Sequence, residues 1–164
     1  GYIAGAKFAN PEVEVKYSYV GDWADPAKCK EMANAMLDEG VDVIWLAAGR
    51  SGLGGIMAAE ERNRFAIGAD VDQGYLAPDH ILTNGMKLVD NTVFMAIEAV
   101  LKDEFTPGTN MLGLKEGALG YSHNLIPADI IEEVDKLAER VASGELTVPE
   151  EIDQVDAWLK AQGK

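Results

Sequence analysis

The sequence predicts an α/β fold, a doubly wound parallel sheet with helices on both faces. Two observations carry this. The runs VDVIWLAAG and FAIGAD are apolar and too short for lone helices, as expected of parallel strands covered on both sides. Around them lie stretches whose apolar residues recur every three or four positions, so strand and helix alternate, with a right-handed crossover at each step. The 164 residues, with neither repeat nor evident linker, make one domain, which at this size buries roughly two-thirds of its unfolded surface.

Tyr2, Ile3, Ala6 and Phe8 have helical spacing, and Asn10-Pro11 stops that helix. Val13, Val15, Tyr17 and Tyr19 alternate with Glu14, Lys16 and Ser18, the pattern of a half-buried strand over 13–20 that ends at Gly21-Asp22. Asp25 as N-cap and Pro26 as first helical residue open a helix whose stripe, Met32, Ala35 and Met36, runs to a stop at Gly40. A buried strand follows over 41–48, then a glycine-rich turn from Gly49 to Gly55, a helix over about 56–63 and a strand over 65–69. After a loop through Pro78, ILTNGMK supplies a strand over 81–84. VDNTVFMAIEAVLKD is a helix with Val89, Val93, Ile97, Val100 and Leu101 on one face. MLGLKEGALGY reads as one or two short strands broken by glycine, PADIIEEVDKLAERVASGE as an amphipathic helix, and 149–160 as a last helix.

Lys plus Arg number 14 against 28 Asp plus Glu, a formal net charge of −14. That charge repels a phosphate backbone, so nucleic acid is not expected as a partner. Cys29 is the single cysteine and cannot form an internal disulfide; on its helix it reads as a small packing residue. No window of about 18 uncharged apolar residues occurs, and the opening GYIAGAKFANP lacks the features of an export signal. A signal or lipid anchor would lie upstream of Gly1.

Three loops follow the carboxyl ends of predicted parallel strands: 21–25, 49–55 and 70–75. Ligands of open α/β sheets bind at such ends. AAGRSGLGG lacks the Lys-Ser/Thr pair of a phosphate-binding loop, and glycines at 49, 52, 54 and 55 do not fit G-x-G-x-x-G. It reads as a tight strand-to-helix turn that admits close approach of backbone to a neutral ligand. Asp70 and Asp72 stand where a carboxylate can accept from paired hydroxyls or serve as a turn cap; residue type alone leaves both open. A phosphoacceptor role for Asp70 fits less well, because the acidic pair and late lysine of such modules are out of order. Trp45, near its strand's end, either stacks on a planar ligand or packs on a helix. His80 and His123 have no metal-binding spacing, Cys29 has no ordered His and Asn after it, and Ser51 and Ser122 are not in nucleophile elbows. The pattern favours binding over catalysis, with no cofactor or metal expected.

Taken together, GYIAGAKFANP with YSYVGDWADPAKCKEMANAML, EGVDVIWLAAGRSGLGG, IGADVDQGYLAP, ILTNGMKLVD and MLGLKEGALGY followed by IPADIIEEVDKLAERVASGELTVP resemble the basic membrane protein family. Its members are importer-associated lipoproteins that include purine nucleoside receptors. The order and spacing of DPAK, AAG-x-x-GLG, DxDQ and LGLKE make the resemblance specific, and it covers the chain to about Pro149. It implies a two-lobed type I periplasmic-binding-protein fold with ligand held between the lobes, no catalysis, and an extracytoplasmic receptor that serves a membrane permease. By the same resemblance Asp70 binds ribose hydroxyls, Trp45 stacks or packs near the base, Gly49 offers a backbone contact and Lys87 reaches the ligand.

The family carries a further lobe before the equivalent of Gly1. The chain is therefore expected to be the C-terminal lobe of a longer receptor, without its N-terminal lobe, with hinge-crossing segments near 85–90 and 111–121. Oligomerisation would cover a sheet edge left open. Two other readings remain: a receptor of the same fold for a sugar, and a flavodoxin- or Rossmann-like enzyme domain using the glycine loop for a nucleotide cofactor. Asp70 and Lys87 are expected on one rim of the sheet, since both follow parallel strands.

Overall fold

The computed structural model describes residues 1–164 and contains six helices and a four-stranded sheet. The helices are α1 (Tyr2–Ala9), α2 (Pro26–Asp38), α3 (Gly52–Glu61), α4 (Val89–Leu101), α5 (Ala128–Ala142) and α6 (Val155–Ala161). The strands β1 (Val43–Trp45), β2 (Phe65–Asp70), β3 (Ile81–Lys87) and β4 (Leu119–Tyr121) lie side by side in that order. β1, β2 and β3 are parallel, and β4 joins β3 antiparallel. The α/β architecture is the expected one, with an antiparallel edge the sequence pattern did not disclose.

The expected strand over 13–20 does not enter the sheet. It runs without ladder pairing, and Tyr17 and Tyr19 are largely exposed. The alternation gave it one apolar side, but β1 offers only three residues of edge, so few hydrogen-bonding positions repay the ordering of a partner. The strand expected over 41–48 contracts to that short β1, although Leu46 N–H still donates to the Ile67 carbonyl at 3.0 Å.

α2 opens as its residues dictate: the Asp25 carboxylate accepts from the Lys28 N–H at 2.9 Å, with Pro26 in the first turn. α3 begins at Gly52, earlier than the periodicity suggested, because a run of glycines lets helix and neighbours meet backbone to backbone. A methyl group on Gly54 would coincide with the Pro26 carbonyl, and one on Gly55 with the Leu46 side chain. α2, α3 and one face of the sheet enclose the core, with Ala33, Leu37, Ile44, Ile56, Ala66 and Ile81 buried. Cys29 lies in this core, and burial pushes its thiol pKa up, as suits an inert packing residue.

A smaller cluster joins α1 to α6 through Ala4, Val155 and Leu159. The last helix is shorter than expected, since Ile152–Gln154 forms a single 3₁₀ turn before α6. α4 forms where the apolar period placed it, yet none of its residues is buried, and Val89, Val93, Ile97 and Leu101 face outward. The period identified the helix; it does not say which body the stripe packs on. Of MLGLKEGALGY, only its end becomes a strand, β4.

The Tyr121 hydroxyl ties β4 to α5, donating to Asp135 Oδ1 at 2.7 Å. Partial burial and the Asp135 carboxylate push its pKa up to about 12. The folded value lies above the unfolded value of about 10, so this contribution to stability is complete below about pH 10 and disappears as pH rises through the folded value. Urea midpoints should therefore fall more steeply between about pH 10 and about pH 12 for the parent than for Tyr121→Phe; equal slopes would show that this phenol does not govern the alkaline limb.

Candidate functional site

The three parallel strands end on one rim, and the register Asp70↔Met86 places the ends of β2 and β3 side by side. Asp70 and Lys87 meet there, with Lys87 Nζ 2.8 Å from Asp70 Oδ1. Their side chains are 49% and 66% exposed, so the pair adds little to stability and both partners remain open to a third group. The carboxylate can accept from hydroxyls while the ammonium donates to an oxygen or ring nitrogen of the same molecule. Asp70 has φ +70°, a left-handed conformation uncommon outside glycine and tolerated best by Asp and Asn. Such backbone persists where the surroundings over-determine it.

On the same rim the loop 21–25 and the loop after β1 are locked together by Ser51, which is fully buried. Its hydroxyl donates to the Asp22 carbonyl at 2.7 Å and accepts from the Asp25 N–H at 2.8 Å, and its N–H donates to the Trp23 carbonyl at 3.1 Å. Gly49 has φ +56°, and a methyl group there would press on the Trp23 ring at 3.1 Å. The Trp23 indole is 74% exposed beside Gly49, so a flat apolar surface stands at the mouth of the rim. Trp45 has a different setting: its ring stacks on Tyr2 of α1 with centroids 5.0 Å apart.

A large cavity, about 1250 Å³, adjoins the rim between α1, residues 13–23, β1 and the neighbouring Ile67 and Leu82; Trp23 and Trp45 line it, and neither Asp70 nor Lys87 does. Apolar side chains such as Val15, Met36 and Val43 dominate its walls. It follows from the unpaired course of residues 13–20 beside the free edge of β1, and its polar lining, Glu14, Lys16, Glu39 and Asp42 among it, includes the Lys16–Glu39 ion pair.

The family model described as ABC transporter substrate-binding protein PnrA-like matches residues 1–152. The chain belongs to this family. Among relatives, it is similar to basic membrane protein A1 of Borrelia garinii subsp. bavariensis, 34% identical over 166 residues that cover 98% of this chain and 49% of that one. Among solved structures, it is similar to an ABC transporter solute-binding protein of Aeropyrum pernix K1, with TM-score 0.76 and 28% identity over 98% of this chain and 56% of that one. A transcriptional activator of the comK gene from Bacillus halodurans has TM-score 0.80 at 24% identity, covering 88% of this chain and 52% of that one, a likeness of fold alone. The chain spans about half the length of the curated relatives it matches.

In this PnrA-like chain the residues singled out from sequence divide into groups. Asp70 and Lys87 are in contact, Gly49 packs on Trp23, and Trp45 is engaged by Tyr2. Sequence reasoning passed over Trp23, although it lies in the strand-end loop already marked for ligand binding; an exposed aromatic between Gly21 and Asp25 was the available signal. It also passed over Asn84, which is fully buried on β3 beneath the rim. A polar residue inside ILTNGMK was visible, but its partners are 11 to 40 residues away in sequence.

Proposed function

We propose that this chain is one lobe of an extracytoplasmic receptor that delivers a purine nucleoside to the permease of an ABC importer, without catalysing a reaction on it. The observation that carries the reading is the exposed Asp70–Lys87 pair at the carboxyl rim of the parallel strands. A carboxylate there matches the paired hydroxyls of ribose, and the lysine supplies a donor to the same ligand. The exposed Trp23 indole offers a stacking surface that a base can use and a bare sugar uses less. Membership of a substrate-binding family supports the receptor role. β3 runs directly into α4, and the unburied apolar face of that helix suits the junction with a complementary lobe reached through segments near 85–90 and 111–121.

Thermal melts with adenosine, guanosine, ribose, flavin mononucleotide, ATP and acetyl phosphate test the reading. A nucleoside at a hundred-fold excess over its dissociation constant stabilises by about 2.7 kcal/mol, or roughly 5 to 10 °C for a chain of this size. Adenosine or guanosine should raise the midpoint while ribose and acetyl phosphate leave it in place. A shift with flavin mononucleotide or ATP alone would replace the receptor with a cofactor-binding domain, and an equal shift with ribose would make it a sugar receptor.

A further inference from the structure

Beneath the rim lies a polar cluster that the ligand contacts proposed above do not use. Asn84 is fully buried, and its side-chain Nδ2 faces Asp72 Oδ1 at 3.0 Å, Ser122 Oγ at 2.8 Å and Asn124 Oδ1 at 3.0 Å. Its Oδ1 accepts from the Gln73 N–H at 3.1 Å. This amide orientation follows from chemistry, because a carboxylate only accepts and a backbone N–H only donates. Gln73 in turn accepts from the Ala69 N–H at 3.2 Å through Oε1, and Asp72 Oδ1 accepts from the Gly74 N–H at 2.9 Å. The site is cut to fit: a methyl group on Gly68 would coincide with Asn84 Oδ1, and one on Gly74 with the Asn124 amide. Asp70, in its left-handed backbone, is thus bracketed by Ala69 on one side and by Asp72 and Gln73 on the other, all held directly or at one remove by Asn84. The same strand carries Lys87 three residues further on.

We propose that Asn84 is a positioning residue for ligand binding: it fixes the turn that holds Asp70 in its ligand-facing conformation opposite Lys87. The inference rests on the receptor reading for its ligand. Asn84 and Ser122 are the buried members while Asp72 and Asn124 reach solvent, so removing the Asn84 donor leaves Ser122 short of a partner and releases Asp72 from the strand. Asn84→Asp keeps the shape, replaces the donor with an acceptor and sets a second carboxylate against Asp72. The turn should loosen while the apolar core beneath α2 and α3 stays intact.

The test uses the isolated 164-residue chain, isotope-labelled, with adenosine as probe. In Asn84→Asp, adenosine affinity should fall at least about tenfold at about pH 8 and recover as pH falls, because burial and the neighbouring Asp72 carboxylate favour the protonated form of the new carboxyl, which can donate. Ala33→Gly, a core change on α2 that also lowers the melting temperature, should leave affinity unaltered. Amide exchange at Gln73 and Gly74 should accelerate about tenfold, with Ala66 in β2 unchanged. Should Asn84→Asp not fold, Asn124→Ala, at the exposed end of the network, should lower affinity about fivefold at high and low pH alike and speed exchange at Gln73 and Gly74. Affinity within threefold of the parent, or an equal loss in Ala33→Gly, would overturn the proposal. If the parent does not bind adenosine, the receptor reading has failed by itself. Asn84 is then judged on exchange alone: faster exchange at Gln73 upholds its positioning role, and unchanged exchange overturns it.

Discussion

Asp70→Ala should lower nucleoside affinity on the order of a hundred-fold, because a carboxylate gripping two hydroxyls makes charge-assisted hydrogen bonds worth about 1.5 to 3 kcal/mol each. The fold should suffer far less. The ion pair lost with Lys87 is about half exposed on both sides, a setting in which such pairs contribute roughly 0 to 1 kcal/mol. Alanine at φ +70° adds a left-handed backbone cost of about 1 to 2 kcal/mol. Together these come to about 1 to 3 kcal/mol and lower the melting midpoint by roughly 2 to 12 °C, at about 2 to 4 °C per kcal/mol. Asp70→Asn separates the two effects, since Asn tolerates the same backbone and keeps an acceptor while losing the charge. Its melting temperature should match the parent while affinity still falls. Calorimetric titration with melts of the same samples reads both, and an affinity change under threefold in Asp70→Ala would reduce Asp70 to a turn residue.

The largest loss of stability is expected at a glycine. Gly54 lies where α3 crosses the start of α2, and a side chain there would occupy the position of the Pro26 carbonyl and crowd the Lys30 backbone nitrogen. Backbone on both sides cannot yield as a flexible side chain can, so Gly54→Ala should cost about 3 kcal/mol or more, at the upper end of overpacking. The melting midpoint then falls by roughly 6 to 12 °C. Gly55→Ala should cost less, because its obstacle is the end of the Leu46 side chain. Gly5 is the contrast: it lies within α1 with open space around it, and alanine there should stabilise by about 0.5 to 1 kcal/mol through helix propensity. Thermal or urea unfolding of the three variants gives the order, and a Gly54→Ala chain as stable as the parent would mean that α2 and α3 do not meet this closely.

What could be read in the sequence and what could not follow from the range of the interactions. VDVIWLAAG and FAIGAD disclosed parallel strands because apolar character, strand length and flanking glycines are local, although Trp45 and Phe65 are exposed rather than covered. Asp25-Pro26 gave the start of α2 for the same reason, since a cap is made within one turn. The failure at 13–20 is of another kind: alternation shows that a segment suits a strand, but pairing depends on an edge supplied by residues 43–45. The stripe on α4 shows the same limit, being correct as a helix and silent about its partner.

The candidate site divides along the same line. Asp70 and Lys87 could be brought to one rim on paper, because parallel strands put their ends together, and the 2.8 Å contact follows that geometry. The network around the buried Asn84 could not, for it joins residues from the turn after β2, from β3 and from the segment after β4. Trp23 was within reach as an aromatic in a strand-end loop, while Trp45, in an apolar strand, stacks on Tyr2 and stays 42% exposed.

The claim on which the rest depends is that the carboxyl rim is where ligand binds. Titration of the isotope-labelled chain with adenosine, followed by amide and indole resonances, tests it directly, because contacts are mapped residue by residue even when binding is weak. The largest changes should fall on the amides of Gly49, Asp70 and Lys87. Changes confined to the cavity between α1 and β1, or none up to the solubility limit of adenosine, would contradict the account.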